Sequence, residues 1–404
     1  MNFNTPKNRS VTVLSAALAA VFAVTAAQPA SAGPIEAARD TKPAFNIRYR
    51  LETVDQTGIE NTASASTARA RLSWIMPSND GFSVGLEGDY VLLVGEERYN
   101  STNNGRTEYP VVADPTGFDL NRAFVRYRND GLTVTAGRQW IGHGPQYFVA
   151  PKAWRQNEQT YDALRVQSTH GNFNLDYTYV ANVNRIFGKN GAQPADWEAN
   201  THLLRGEFTP SEGHVFSTFA YLMDFENDNG PANSNRTFGV DYSASLGAFG
   251  LFVSAARQSE WADNPRSFDV GHFVLEGKLK QGPVAFTAGY EIIGSDDGRA
   301  TVLMPIAAQH KFRGWADKFI STPLTGLKNA YLKAGTNVGP LDLAVALYDF
   351  RAAEGGAAYG REVDLAVTYP MGKRFVAQFK IGRYFADQHA TDTTKGWLVV
   401  TYRL

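Results

Sequence analysis

Apolar and polar residues alternate one by one along most of the chain from residue 43 onward. Phe45, Ile47, Tyr49 and Leu51 interleave with Asn46, Arg48, Arg50 and Glu52. Ala68, Ala70, Leu72 and Trp74 interleave with Arg69, Arg71 and Ser73, and Phe82, Val84, Leu86, Tyr90 and Leu92 run opposite Glu87 and Asp89. A period of two puts one set on each face of a β-strand. It excludes amphipathic helices, whose apolar residues recur every three to four positions.

The junctions alternate too. Every second one is a tight turn built on Gly, Asn or Asp, which supply positive φ: 129–131, 170–172, 211–214, 246–250, 281–283, 338–340 and 370–373. Those between are longer and more polar, at 95–119, 142–161, 188–197, 227–234, 262–267, 296–326, 353–360 and 387–395. Short turns on one rim and long loops on the other characterise a transmembrane antiparallel β-barrel, with short periplasmic turns and long extracellular loops. The pattern predicts about eighteen strands, an even number that returns both termini to one side. They fall at 43–56, 66–77, 82–95, 119–128, 132–142, 161–168, 173–187, 198–209, 215–226, 234–246, 250–262, 267–280, 284–295, 327–338, 341–352, 361–370, 375–387 and 396–404.

Residues 1–32 are read separately as a signal peptide. Lys7 and Arg9 precede an apolar run at 11–27, and Ala30-Ser31-Ala32 is a cleavage signal after Ala32. The barrel then occupies 33–404, placed in the bacterial outer membrane. A soluble all-β protein would show the same alternation with its faces exchanged. The export signal and rings near strand ends (Tyr49, Trp74, Tyr90, Trp140, Tyr179, Phe225, Tyr369, Phe385) favour the membrane form, in which aromatic girdles flank the apolar band. The chain has no Cys and a formal net charge of -1, so it offers no disulfide framework or thiolate metal site, and no basic surface for nucleic acid.

With the apolar face on lipid, the polar face lines a lumen. Arg48, Arg50, Arg69, Arg71, Arg122, Arg126, Arg128, Arg165 and Arg205 make its early strands basic, and Glu87, Asp89, Asp176, Asp224, Asp241, Glu276, Glu291, Glu362 and Asp364 place acids among and beyond them. Two readings stand. Guanidinium forks suit carboxylates, so the arc could select anions. Cross-strand pairing, as of Glu87 and Asp89 with flanking Arg, would instead neutralise the wall. No catalytic residue, metal site or cofactor is expected. Gly81-Phe82-Ser83-Val84-Gly85 matches G-x-S-x-G but lacks the following helix, and His143 between Gly142 and Gly144 reads as structural.

The long loop before the sixth strand stands apart. Trp154, Arg155, Asn157 and Glu158 lie in a run too polar for core and too aromatic for a linker, and are expected to constrict the path. Gly137-Arg138-Gln139 together with Trp154-Arg155-Gln156-Asn157-Glu158-Gln159-Thr160-Tyr161-Asp162-Ala163 resembles the central motif of the alginate export family of outer-membrane porins. His310-Lys311-Phe312-Arg313-Gly314-Trp315-Ala316-Asp317-Lys318-Phe319, with Thr322-Pro323 and Gly326-Leu327 after it, resembles that family's second motif. The resemblance implies an eighteen-stranded barrel whose name-giving members pass an anionic uronate polymer outward. In the second motif Trp315, Asp317 and Lys318 read as a packed loop, with Asp317 and Lys318 able to pair with lumen charges.

The sequence thus describes a porin-like channel for passive passage of an anionic or sugar-like solute, including a uronate polymer such as alginate. Its expected partners are outer-membrane lipid, lipopolysaccharide and the solute, with no nucleic acid and with oligomeric state open. The alternatives are a general diffusion porin without anion preference, a barrel enzyme with a Ser/His/acid cluster at one rim, and a barrel with a plugged lumen.

Overall fold

A computed structural model describes residues 43–77, 80–189 and 193–404. The expected signal peptide lies outside the described residues. The chain forms β1 (Ala44–Gln56), β2 (Ala63–Ile75), β3 (Phe82–Leu93), β4 (Gly117–Asn129), β5 (Leu132–Gln139), β6 (Thr160–His170), β7 (Phe173–Asn184), β8 (Asp196–Ser211), β9 (His214–Met223), β10 (Asn235–Leu246), β11 (Phe249–Glu260), β12 (Asp269–Gln281) and β13 (Val284–Ile293). After β14 (Ser295–Asp296) and β15 (Ala300–Thr301), a short ladder inside a loop, come β16 (Leu327–Val338), β17 (Leu341–Arg351), β18 (Ala358–Met371), β19 (Phe375–Ala386) and β20 (Thr393–Arg403).

All but the short ladder join one eighteen-stranded sheet. β1 pairs antiparallel with β2 on one side and with β20 on the other, so the sheet closes and leaves no edge. The expected strand count and antiparallel barrel are therefore present, with strand ends shifted by a few residues. The second strand, expected at 66–77, starts at Ala63 and stops at Ile75, ahead of Pro77. The β4–β5 turn shows what the short rim requires. Asp130 and Gly131 have φ of 34° and 83°, and a Cβ on Gly131 would lie 2.5 Å from the Thr169 carbonyl oxygen.

The faces are reversed relative to a soluble protein. Leu72, Phe118 and Phe249 are 54%, 67% and 62% exposed on the outside, while Arg50, Glu52 and Asp89 are buried inside. Only a lipid surround accommodates such an outer face. Two aromatic residues expected in the girdle face inward instead. Trp140 lies beneath the Arg122 guanidinium at 3.9 Å, and Phe225 is buried against Trp197 at 4.9 Å. Both follow the end of a strand, where the alternation no longer sets direction. Bulges also break the parity. At Glu87/Gly88 the register with β4 slips by one residue, so that Asn121 and Arg122 both reach Glu87.

Candidate functional site

The two stretches singled out in the sequence meet inside the barrel. The first lies in the loop between β5 and β6 and is bound to the wall at β1 and β2. Arg48 Nε donates to Gln156 Oε1 at 2.9 Å and Arg50 Nη1 to the Trp154 carbonyl at 2.7 Å. Glu158 accepts from Arg69 at 3.2 Å and from Arg71 at 2.9 Å, and the Gln156 amide donates to Asp114 at 2.9 Å. The second lies in the loop between β13 and β16 and binds the wall at β13 and β18. Arg313 pairs with Glu291 at 3.0 Å on β13. The Ala316 amide donates to Glu362 at 2.7 Å and the Trp315 amide to Asp364 at 3.2 Å, both on β18.

Between the walls the loops hold each other. The Ala150 amide and the Gln159 side chain both donate to the Ile306 carbonyl at 3.0 Å. Trp154 stacks on His310 at 3.7 Å and Tyr147 on Phe312 at 3.9 Å. Lys152 Nζ reaches the Pro305 carbonyl at 3.1 Å and Lys311 Nζ the Pro145 carbonyl at 3.0 Å. A double-walled partition thus crosses the lumen.

Its centre is Asp317. Lys395 Nζ lies 2.7 Å from one oxygen, His310 Nδ1 2.7 Å from the other, and Arg155 3.6 Å away. Burial alone would push this carboxyl up. The cations of Lys395 and Arg155 with the His310 hydrogen bond outweigh it and hold the pKa far below the ordinary carboxylate range. Burial pushes His310 down to about 4, so at neutral pH the ring is uncharged. Its Nδ1–H then donates to Asp317, and Nε2 accepts from Lys380 at 3.2 Å.

The expected basic residues divide into two sets. Arg50 pairs with Glu52 at 2.5 Å, Arg71 forks onto Asp89 at 2.7 and 2.5 Å, and Arg205 pairs with Asp241 at 2.7 Å. Arg69 pairs with Glu158, Arg122 with Glu87 and Arg165 with Asp176. Their charge is neutralised locally. Among the described residues Arg48 donates to the Gln156 side chain and to loop carbonyls and has no ion pair. Arg126 donates to Thr135 Oγ1 at 3.1 Å and lies over Phe124, and Arg128, exposed near the short-turn rim, has no ion pair among the described residues.

A cavity of about 320 Å³ opens on the long-loop side of the partition. Ile59, Ile186, Phe187, Ile320 and Trp154 give it an apolar wall, and Lys152, Arg155, Lys318, Lys395 and Asp317 a charged one. Lys395 and Arg155 are committed to Asp317. Among the described residues, Lys152 has the Pro305 carbonyl and Lys318 the Gln56 side chain, the latter at 3.1 Å, and neither has an ion pair. Burial lowers Lys152 to about 7 and Lys318, with Lys395 beside it, to about 8. Of the expected constriction residues, Trp154 and Arg155 line this cavity. Asn157 and Glu158 are buried and serve the wall, Asn157 by donating to the Pro115 carbonyl at 3.1 Å. From the second motif Trp315 lies under Lys380 at 3.9 Å, while Asp317 and Lys318 line the cavity.

Lys152 and Lys395 escaped the sequence reading. Lys152 follows Pro151 in a loop, and Lys395 sits at the mouth end of a strand; charge alone did not set them apart. The acids Glu52 and Asp114 escaped for the same reason.

The family model for Gram-negative porins matches residues 15–389. Among solved structures the chain is similar to Acinetobacter baumannii OccAB4, with a TM-score of 0.68 at 14% identity over 90% of this chain and 97% of that one. It is similar to Pseudomonas aeruginosa OpdK, solved with vanillate, with a TM-score of 0.68 at 12% identity over 91% and 99%. Pseudomonas aeruginosa OccK9 (OpdG) gives a TM-score of 0.68 at 14% identity over the same shares. No curated protein matches the chain.

Proposed function

Because the chain belongs to the Gram-negative porin family, and its barrel is an outer-membrane channel, we propose that it passes a small organic carboxylate with an apolar body. The observation that carries this reading is the outer cavity. It sets two ammonium groups with no acid partner among the described residues, Lys152 and Lys318, beside Trp154 and an aliphatic wall. A carboxylate would find charge-assisted donors there, and its hydrocarbon part an apolar surface. Vanillate, present in the OpdK structure, has this chemistry: a carboxylate on an aromatic ring. Arg126 and Arg128 continue the basic path toward the periplasmic rim. Passage requires no covalent step.

A uronate polymer such as alginate is the second reading, favoured by the two motifs that resemble the alginate export family. Those motifs are the ones that clasp each other across the lumen, which favours a small solute over a polymer. Liposome swelling separates the two. Proteoliposomes should swell faster in benzoate than in the isosteric neutral benzamide, and show no uptake of oligomannuronate. Equal rates for benzoate and benzamide would return the chain to a diffusion porin without anion preference. Oligomannuronate entry would favour the polymer.

A further inference from the structure

The outer surface carries a second basic feature, facing away from the lumen. On β16 to β19 the long-loop ends of four neighbouring strands present Lys328, Arg351, Arg361 and Arg383 outward. Lys328 and Arg351 stand directly opposite in the strand register. Arg361 faces Asp349, and since Arg361 pairs with Phe385, Arg383 is its diagonal neighbour. The acids present are fewer than the cations. Arg351 has Asp349 at 3.3 Å and Arg383 has Asp392 at 3.6 Å, whereas Lys328 and Arg361 have no ion pair among the described residues.

The position of the group matters as much as its charge. On the same faces toward the short-turn rim, Leu332, Leu347, Leu365 and Phe379 are all exposed and form the lipid-facing band. The cations begin where that band ends, at the headgroup level of the outer leaflet, since long loops mark the outer side. Two like charges directly opposite on paired strands repel. Four cations on adjoining strands, with Asp349 and Asp392 beside them, leave an excess of positive charge that a further anion would offset. On β8 to β12 the arrangement differs. Arg257 is matched by Asp269 at 2.6 Å, Arg236 binds Ser259, and β8 presents the acid Glu198.

We propose that this patch on β16 to β19 is a docking site for the phosphates of the lipid A part of lipopolysaccharide. The guanidiniums of Arg351, Arg361 and Arg383 can fork onto phosphate oxygens, and Lys328 supplies a point charge. The acyl chains then lie along the leucine and phenylalanine band below. This lipid holds one flank of the barrel, independently of what crosses the lumen.

Native mass spectrometry of the detergent-purified protein tests it, with diphosphoryl lipid A, monophosphoryl lipid A and phosphatidylglycerol as probes. The unaltered chain should retain diphosphoryl lipid A more strongly than either of the others. The double variant Lys328→Ser/Arg361→Ser should weaken that binding about thirty-fold. Arg236→Ser/Arg257→Ser on β10 and β11 should leave it unchanged. Equal retention of phosphatidylglycerol, equal binding by the first double variant, or equal loss in the second would each overturn the assignment.

Discussion

Asp317 joins three segments of the interior. It accepts from His310 and Lys395 and faces Arg155, so one carboxylate ties the β13–β16 loop to β20 and to the β5–β6 loop. Replacing it by Asn leaves Lys395 and Arg155 buried without their anion. Breaking a buried pair by removing one member costs about 3–5 kcal/mol. Asp317→Asn should therefore release the partition, seen as faster proteolysis within 294–326 at unchanged strand content by circular dichroism. Unchanged cleavage would mean that the backbone contacts suffice. Lys152 and Lys318 act at the same scale, with pKa values pushed by burial to about 7 and about 8. A lowered lysine pKa means the cation is present below that value and lost above it. Anion preference should thus be full near pH 6 and fall as the pH rises to about 9. Reversal potentials across a KCl gradient read this directly. In Lys152→Gln/Lys318→Gln the dependence over that range should flatten.

At the scale of elements, the strands were legible and the loops only in part. A period of two, repeated with turns such as Asn129-Asp130-Gly131, is a local signal, and each strand could be placed from its own residues. Where a loop goes is decided by distant partners. The sequence marked Trp154 and Trp315 as unusual, but their meeting through His310 joins residues far apart in the chain, and no spacing reveals that. Parity failed where backbone geometry intervenes, as at the Asn121 bulge and beyond the strand ends at Trp140 and Phe225. Gly314 shows how the loop reaches the wall. Its φ is 79°, and a Cβ there would lie 2.4 Å from the Glu362 carboxyl. Only glycine allows the amides of Trp315 and Ala316 to approach Asp364 and Glu362 together. Gly314→Ala should lift this loop from β18 and raise single-channel conductance in planar bilayers, while the barrel still closes. An unchanged conductance would place the constriction elsewhere.

For the whole molecule, the question is which charges the solute meets. A row of nine lumen arginines reads as a strongly basic pore, yet the fold matches six of them to acids: Arg50, Arg69, Arg71, Arg122, Arg165 and Arg205. The pairing reading of the wall therefore describes these six, and selection of anions is a proposal that rests on the cations left without acids. The neutralised pairs lie along β1 to β8 and around the partition. Among the described residues, cations without an ion pair include Lys152 and Lys318 in the outer cavity, Arg126 and Arg128 toward the periplasmic rim, and Arg48 and Lys380 against the partition. Unmatched charge on a wet path sets ion preference, and paired charge mostly does not. Substitution should separate the two classes. Arg126→Glu/Arg128→Glu changes the charge by four units at two arginines that have no ion pair among the described residues, and should move the reversal potential toward cations, most at low salt where screening is weak. Arg71→Gln removes the fork from Asp89 and a contact to Glu158, leaving buried carboxylates underpaired. Its effect should appear as lower thermal stability and a loosened β5–β6 loop, with a much smaller change in selectivity. If both variants shifted the reversal potential equally, pairing would not be shielding the wall, and selectivity would follow total lumen charge instead.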